Sequence, residues 1–276
     1  VVVVDSFSKD ATCDIARKLG CELLEHPFEN YSVQRNWAQQ AIGIDSGWYL
    51  HLDSDEVLSP ELRASIKELL SREVKSFDGY LMRRTPYFMG KRLRFGAISP
   101  TWHLRLYRAG KGKCEDRLYD QHFVMDGPTG TLAGDIRDLQ IATVEQWTAS
   151  HNRWSTAEAD EVAALLSESA TDSGQNLTAS LFGDRRMKKR WLKNRVWYRL
   201  PILVRPFLFF TYSYFIRLGF LDGKVGLVYC VLQSFWFRFL VDAKILEKAT
   251  AEQNYRVLFQ QLAVDSQSSP EEVKSS

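Results

Sequence analysis

The chain has 276 residues, 45% of them hydrophobic and 25% charged, which excludes a wholly disordered protein and leaves material for one domain plus an appended helical region. A formal net charge of +2 excludes a whole-protein field for nucleic acid, so any attraction for anions must come from uneven placement of charge. The four cysteines at 13, 21, 114 and 230 show neither CxxC nor Cys/His spacing, which argues against a zinc site or a disulfide framework and for a reducing compartment.

Residues 1–4 are a valine run without the basic start and cleavage site of a signal peptide, and read as a core strand. A chain that opens in such a strand is expected to have been trimmed. A helix is expected over 10–20 with Ile15, Ala16 and Leu19 on one face, stopped by Gly20, then a strand at 21–24. A second helix over 32–42 carries Val33, Trp37, Ala38, Ala41 and Ile42 at helical spacing. After a strand at 48–52, Ser59 and Pro60 start a helix that runs to about residue 71. This alternation is that of a parallel α/β sheet with crossover helices.

Further strands are expected at 79–84 and 101–107, with a turn at Gly110 and Gly112. The polar stretch 113–139 has no clear period and is assigned to the acceptor side of an active site. A helix follows over 143–169, then a polar linker at 171–178.

The strand at 48–52 ends in Asp53, Ser54, Asp55 and Glu56. In open α/β sheets ligands bind at the carboxyl ends of strands. Two aspartates one residue apart there can share a divalent cation, Mg2+ or Mn2+, with a diphosphate. The competing reading of the same spacing is a solvated turn that caps the next helix.

Three segments together resemble the nucleotide-binding segments of family 2 glycosyltransferases: VVVVDSFSKD at 1–10, QRNWA at 34–38 and WYLHLDSDEVL at 48–58. The branch they most resemble contains lipopolysaccharide-core β-glucosyltransferases. WTASHNRWSTAEA at 147–159 and GFLDGKVG at 219–226 look like segments of that branch too. The resemblance implies a GT-A-like mixed sheet with flanking helices, whose opening strand and helix would precede residue 1 and be missing here, together with metal dependence and transfer from a nucleotide diphosphate sugar to a saccharide or lipid-linked acceptor. It also implies that Asp5 and Ser6 lie near the nucleobase and ribose and that Gln34, Arg35 and Asn36 line the nucleotide pocket. Asp53 would meet the ribose or the metal, and Asp55 would be the principal metal ligand. His151, in the HNRW run, is a further candidate at the metal or diphosphate, as is His122.

An inverting transfer needs one carboxylate to take the proton of the acceptor hydroxyl. Glu115, Asp116 and Asp120 are the candidates. Asp120 fits by its distance to Gly127, and Asp116 by completing a Glu-Asp pair.

From 185 to 221 there are ten Lys or Arg residues and no acidic one, interleaved with Trp, Tyr and Phe. The apolar runs in this region and at 225–237 fall short of the roughly 20 residues a membrane span needs, so peripheral attachment to the cytoplasmic face of a membrane is expected. A helical bundle or dimer contact would use the same residues, leaving room for a homo-oligomer, whereas nucleic acid is not an expected partner. The expected organisation is a catalytic domain at 1–170, a linker at 171–184, a basic and aromatic helical region at 185–262 and a disordered tail at 263–276. Two other functions stay open: transfer to a polyprenyl phosphate, held by the basic segment near Lys188, and a catalytically silent membrane adaptor.

Overall fold

The computed structural model of the chain describes residues 1–72, 76–117, 120–166, 177 and 179–267. Of the expected linker at 171–178 only Leu177 falls among them, and the expected tail lies outside them from residue 268 onward.

The first four elements are β1 (Val2–Asp5), α1 (Thr12–Lys18), β2 (Glu22–Glu25) and α2 (Tyr31–Ile42). β1 and β2 pair in parallel as a separate two-stranded sheet. The face expected on α1 is not covered, since Ala16 is buried while Ile15 and Leu19 are exposed. Asn30 caps α2 through the amide of Val33, and Gly43 ends it in the left-handed conformation.

Next come β3 (Trp48–Leu50), β4 (Glu56–Leu58), α3 (Pro60–Ser71), β5 (Gly79–Phe88), β6 (Lys91–Arg92), β7 (Thr101–Arg108), β8 (Gly112–Cys114), β9 (Phe123–Met125) and β10 (Thr129–Gln140). The main sheet runs β3-β7-β5-β10-β4, with β6 on β5. It is mixed: β5 and β10 are parallel, while β3/β7, β7/β5 and β10/β4 are antiparallel. The parallel pattern expected from the sequence is therefore confined to the first sheet and one central pair.

β4 and β10 went unseen in the sequence. β4 is only three residues long, and β10 carries Gly130, Gly134, Asp135 and Asp138, which weaken a strand pattern. Gly134, at φ +92, lies where an added Cβ would meet the backbone of Leu62, so only glycine lets β10 pass under the start of α3. Ser59 joins the two elements: its Oγ accepts from the amides of Leu62 (3.2 Å) and Asp135 (3.0 Å).

One face of the sheet buries Leu62, Ile66, Tyr80, Met82, Leu106 and Ile136 beneath α3. A second cluster joins Tyr49, Leu81, Leu104, Tyr107, Cys114 and Phe123.

The C-terminal half is helical: α4 (Val144–Leu166), α5 (Arg185–Arg195), α6 (Arg205–Thr211), α7 (Gly223–Tyr229) and α8 (Phe237–Gln267). A π-helical turn, Tyr212–Ile216, extends α6, and another, Cys230–Trp236, joins α7 to α8. The helix therefore continues through Gln233 and Arg238, and, although the apolar runs read from the sequence fall short of a span, Gly219–Ala251 is long and apolar enough to cross a bilayer by length and composition. Its second half is committed to the protein, because Phe237, Val241 and Ile245 pack on Ala159 and Val162 of α4. α8 also runs through Gln267, over the first residues of the expected tail.

The basic stretch splits into two roles. Arg186 and Arg190 of α5 are buried in ion pairs with Asp184 and Glu115. Apolar side chains are exposed mainly further on, between residues 202 and 231.

Candidate active site

The turn between β3 and β4 presents the acidic run. Both oxygens of Asp53 are taken by arginines: Arg35 Nη2 donates to Oδ1 at 2.6 Å and Arg105 Nη2 to Oδ2 at 2.7 Å. Burial works to raise the Asp53 pKa, but Arg105 and Arg35 outweigh it and hold the carboxyl well below its ordinary range. Arg105 also donates to Glu56 Oε1 at 2.8 Å, and Glu56 Oε2 accepts from the Asp53 amide at 3.0 Å. The turn is thus fixed by charge from β7, because a buried arginine and a buried glutamate must find partners.

Asp55 differs. It is half-buried, and among the described residues its carboxylate has no hydrogen-bond or ion-pair partner. Burial, then the charge of Asp138, push its pKa up. Asp138 on β10 is 1% exposed. Its Oδ2 takes Arg84 at 3.1 Å and Gln140 at 2.8 Å, while its Oδ1 is buried with no hydrogen-bond partner. The orphaned oxygen of Asp138 and the unpaired carboxylate of Asp55, which feel each other's charge, are oxygen ligands of the kind Mg2+ or Mn2+ favours, while the close-set group of three possible metal ligands among the described residues is Asp5, Cys13 and Glu25.

Of the residues expected around the nucleotide, the structure brings some together. Gln34 donates to Ser6 Oγ at 3.1 Å and lies 2.8 Å from His26 Nδ1. Asp5 accepts from the Ser8 amide at 2.8 Å. Arg35, one residue along α2, lies over the rings of Tyr31 (5.4 Å) and Phe123 (5.5 Å) and reaches Asp53. The wall from β1 through α2 to the acidic turn is therefore continuous. Asn36 serves otherwise: its amide clamps the backbone of Cys114, donating to the carbonyl at 2.9 Å and accepting from the N–H at 2.8 Å.

His151 lies outside this group. Its ring stacks on Trp147 at 3.4 Å, its Nδ1 lies 2.9 Å from the Trp147 carbonyl, and burial lowers its pKa to about 4.

On the expected acceptor side the three carboxylates part ways. Glu115 is fully buried and held by both Nη atoms of Arg190 (2.5 and 2.6 Å) and by the amides of His122 and Leu177. Asp116 is exposed. Asp120, in the left-handed conformation at φ 54, has its carbonyl 2.8 Å from His122 Nδ1 and its Oδ2 3.9 Å from Lys193 Nζ. Burial would raise its pKa, but His122, Lys193, Lys189 and Arg117 together hold it far below the ordinary range. Lys189 is solvent-exposed on the same wall and has no ion-pair partner among the described residues.

His103 stands between the acidic turn and the Asp120 group. It stands two residues from Arg105 on β7, and its ring centroid is 5.9 Å from that of His122. Burial, then the charges of Arg84, Arg105 and His122, hold its pKa well below the ordinary histidine range.

Sequence reasoning missed Arg84, Arg105 and Asp138, and gave Glu56 no role beyond its place in the acidic run. The available signal was charge inside apolar strands, as in Arg105 between Leu104 and Leu106, since a buried charge requires a partner.

No family model matches the chain. Over 168 residues it is 25% identical to the lipopolysaccharide core biosynthesis glycosyltransferase LpsC of Rhizobium meliloti, which covers 58% of this chain and 61% of that protein. Over 71 residues it is 39% identical to an uncharacterized glycosyltransferase of Rickettsia conorii (26% of this chain, 24% of that one). A counterpart in Rickettsia prowazekii is 37% identical over 71 residues. The chain thus spans less than two thirds of the length of these relatives. In sequence it is similar to bacterial glycosyltransferases, one of them named for lipopolysaccharide core biosynthesis.

Proposed function

We propose that the chain is the catalytic part of a GT-A-like, inverting glycosyltransferase of cell-envelope polysaccharide synthesis, peripheral on the cytoplasmic face of a membrane. It would move a sugar from a nucleotide diphosphate sugar to a saccharide or lipid-linked acceptor. The observation that carries this is the pair of unsatisfied carboxylates, Asp55 and Asp138, at a strand end beside the arginine-fixed Asp53, in a chain similar to transferases.

Asp55 and Asp138 would hold the divalent cation, which when bound neutralises charge on the departing nucleoside diphosphate. Arg35 and Arg105 keep Asp53 ionised and the turn in place, so the oxygen of Asp55 is oriented before the donor arrives. Asp5, Ser6 and Gln34 face the nucleoside end. Asp120, at the far end of the cleft, would take the proton from the acceptor hydroxyl as it attacks the anomeric carbon. The cationic surroundings lower its basicity.

The exposed, unpaired Lys189 beside Asp120 favours one second reading, in which the acceptor is a polyprenyl phosphate already ionised and no base is needed. Calorimetry with a panel of nucleoside diphosphates, with and without Mn2+, tests the main reading. Metal-dependent binding of one nucleotide, lost in Asp55→Ala, is expected; binding of none of them would overturn it. An Asp120→Asn variant with an undiminished transfer rate would favour the second reading.

A further inference from the structure

The segment from residue 201 to 231 folds as a helical hairpin. Its first arm is α6 with the turn Tyr212–Ile216. The chain reverses at Leu218, which adopts φ 59, and the second arm runs from Gly219 through α7. The arms meet through small residues: a Cβ on Gly219 would fall 3.0 Å from the Ser213 carbonyl and 3.3 Å from Tyr214 Cα, and Ser234 Oγ donates to Ser213 Oγ at 3.1 Å. The hairpin is therefore a built unit.

It is also bolted to the catalytic sheet. Asp222 Oδ2 accepts from the amides of Arg94 (2.9 Å) and Phe95 (3.0 Å), Ser213 Oγ accepts from the Ala97 amide (3.1 Å), and the Gly96 amide donates to the Arg217 carbonyl (2.9 Å). Tyr229 rests on Phe88 at 5.2 Å, at the end of β5.

Away from these contacts the hairpin leaves large apolar side chains in the open: Phe207 (53% exposed), Phe215 (54%), Ile216 (68%), Phe220 (42%) and Leu221 (53%). Scattered exposed leucines need no explanation, but a contiguous patch on one motif does. Charge identifies the occupant. Arg199, Arg217 and Lys224 are exposed without ion-pair partners among the described residues. The hairpin's one carboxylate, Asp222, is 4% exposed and spent on the amides above. The accessible charge carried by the hairpin is thus positive, which matches a layer of anionic headgroups over hydrocarbon.

We infer that this hairpin is a re-entrant anchor that inserts its tip, Phe215 to Leu221, into the interface of an anionic bilayer without crossing it. The inference deepens the peripheral attachment proposed above by assigning it to one motif, away from the basic helix α5, whose arginines Arg186 and Arg190 are occupied inside the protein. Because the motif is fixed to residues 94–97, next to the sheet that carries the acidic turn, the catalytic cleft is held at a set height over the lipid. A lipid-borne acceptor suits that arrangement.

The test uses the full chain and co-sedimentation with vesicles of phosphatidylcholine alone or mixed with phosphatidylglycerol. Binding to the mixed vesicles is expected, weakened at least tenfold in the double variant Ile216→Glu/Phe220→Glu, with its thermal unfolding unchanged because both side chains are exposed. Arg217→Gln/Lys224→Gln should lower the preference for phosphatidylglycerol and its salt dependence. Undiminished binding of the glutamate variant would overturn the inference. So would a lipid-free dimer that this variant dissociates, since the patch would then belong to a second copy. Nucleotide binding by calorimetry on the same samples separates the two ideas: vesicle binding without nucleotide binding sinks the transferase reading and leaves the anchor standing.

Discussion

Asp138 stands directly opposite Glu56 across the antiparallel β4–β10 pairing, and Arg84 binds both, leaving Asp138 with one oxygen that nothing in the described structure satisfies. A buried carboxylate oxygen without a donor is costly, on the order of 1–3 kcal/mol or more. If a cation is what satisfies it, Asp138→Asn should weaken the Mn2+-dependent part of nucleoside diphosphate binding about tenfold or more in calorimetry. The metal-free folding stability should hold or rise, because a like charge beside Asp55 and Glu56 has gone. Unchanged metal dependence with lower stability would make Asp138 a partner of Arg84 and nothing else.

Glu115 and Arg190 tie the loop that carries Asp120 to α5. Both are buried, so Glu115→Gln should cost about 3–5 kcal/mol, the range for stranding one member of a buried pair, read by urea unfolding. Burial alone would raise the Glu115 pKa, but the Arg190 hydrogen bonds and charge, with His122, leave it lowered in the folded protein. A lowered carboxyl pKa stabilises the fold above the ordinary glutamate value, and that contribution is lost as pH falls toward the folded value. The variant should therefore lose less stability than the native chain between pH 5 and 3, roughly the window a glutamate titrates in.

These two pairs show what the sequence could and could not reveal. The helices α2 and α3 and the strands β3 and β7 follow from caps, Pro60 and apolar spacing, and all of them lie close to where the sequence puts them. Asp53 and Asp55 are conspicuous because they follow an apolar strand. Asp138 is not, because β10 is interrupted by Gly134 and two acidic residues and lacks a clean period. The partners of Asp53 sit 18 residues before it and 52 after it, and pairing over such separations is fixed by sheet register, which no local pattern encodes. The basic stretch misled for a related reason: composition cannot separate arginines that end up buried, such as Arg190, from those left facing solvent, such as Arg217.

His151 is enclosed by Trp147, Trp154 and Phe237, with ring centroids at 3.4, 4.6 and 5.4 Å. In that setting an imidazole acts as a packed ring held by polar contacts to the Trp147 carbonyl and the Gln233 side chain. His151→Phe should keep the Mn2+ dependence of nucleotide binding within about twofold and cost on the order of 1–2 kcal/mol in thermal unfolding, through the lost hydrogen bond and imperfect repacking. A tenfold loss of metal affinity would instead return His151 to the metal site.

Asp120 and Asp116 are separated by a direct comparison. Asp116 is exposed, so Asp116→Asn should leave transfer within a few-fold of native. Asp120→Asn should lower kcat by about 10²–10⁴, the usual contribution of a positioned general base, without altering nucleotide binding. Because Lys193, at 3.9 Å, is among the cations that hold the Asp120 pKa down, the acid limb of kcat/KM should lie below the ordinary aspartate range. Lys193→Met removes one positive neighbour and should move that limb to higher pH. Burial would then weigh more heavily against the ionised form. An acid limb that stays put in Lys193→Met, or a full rate in Asp120→Asn, would take the proton-accepting role away from Asp120.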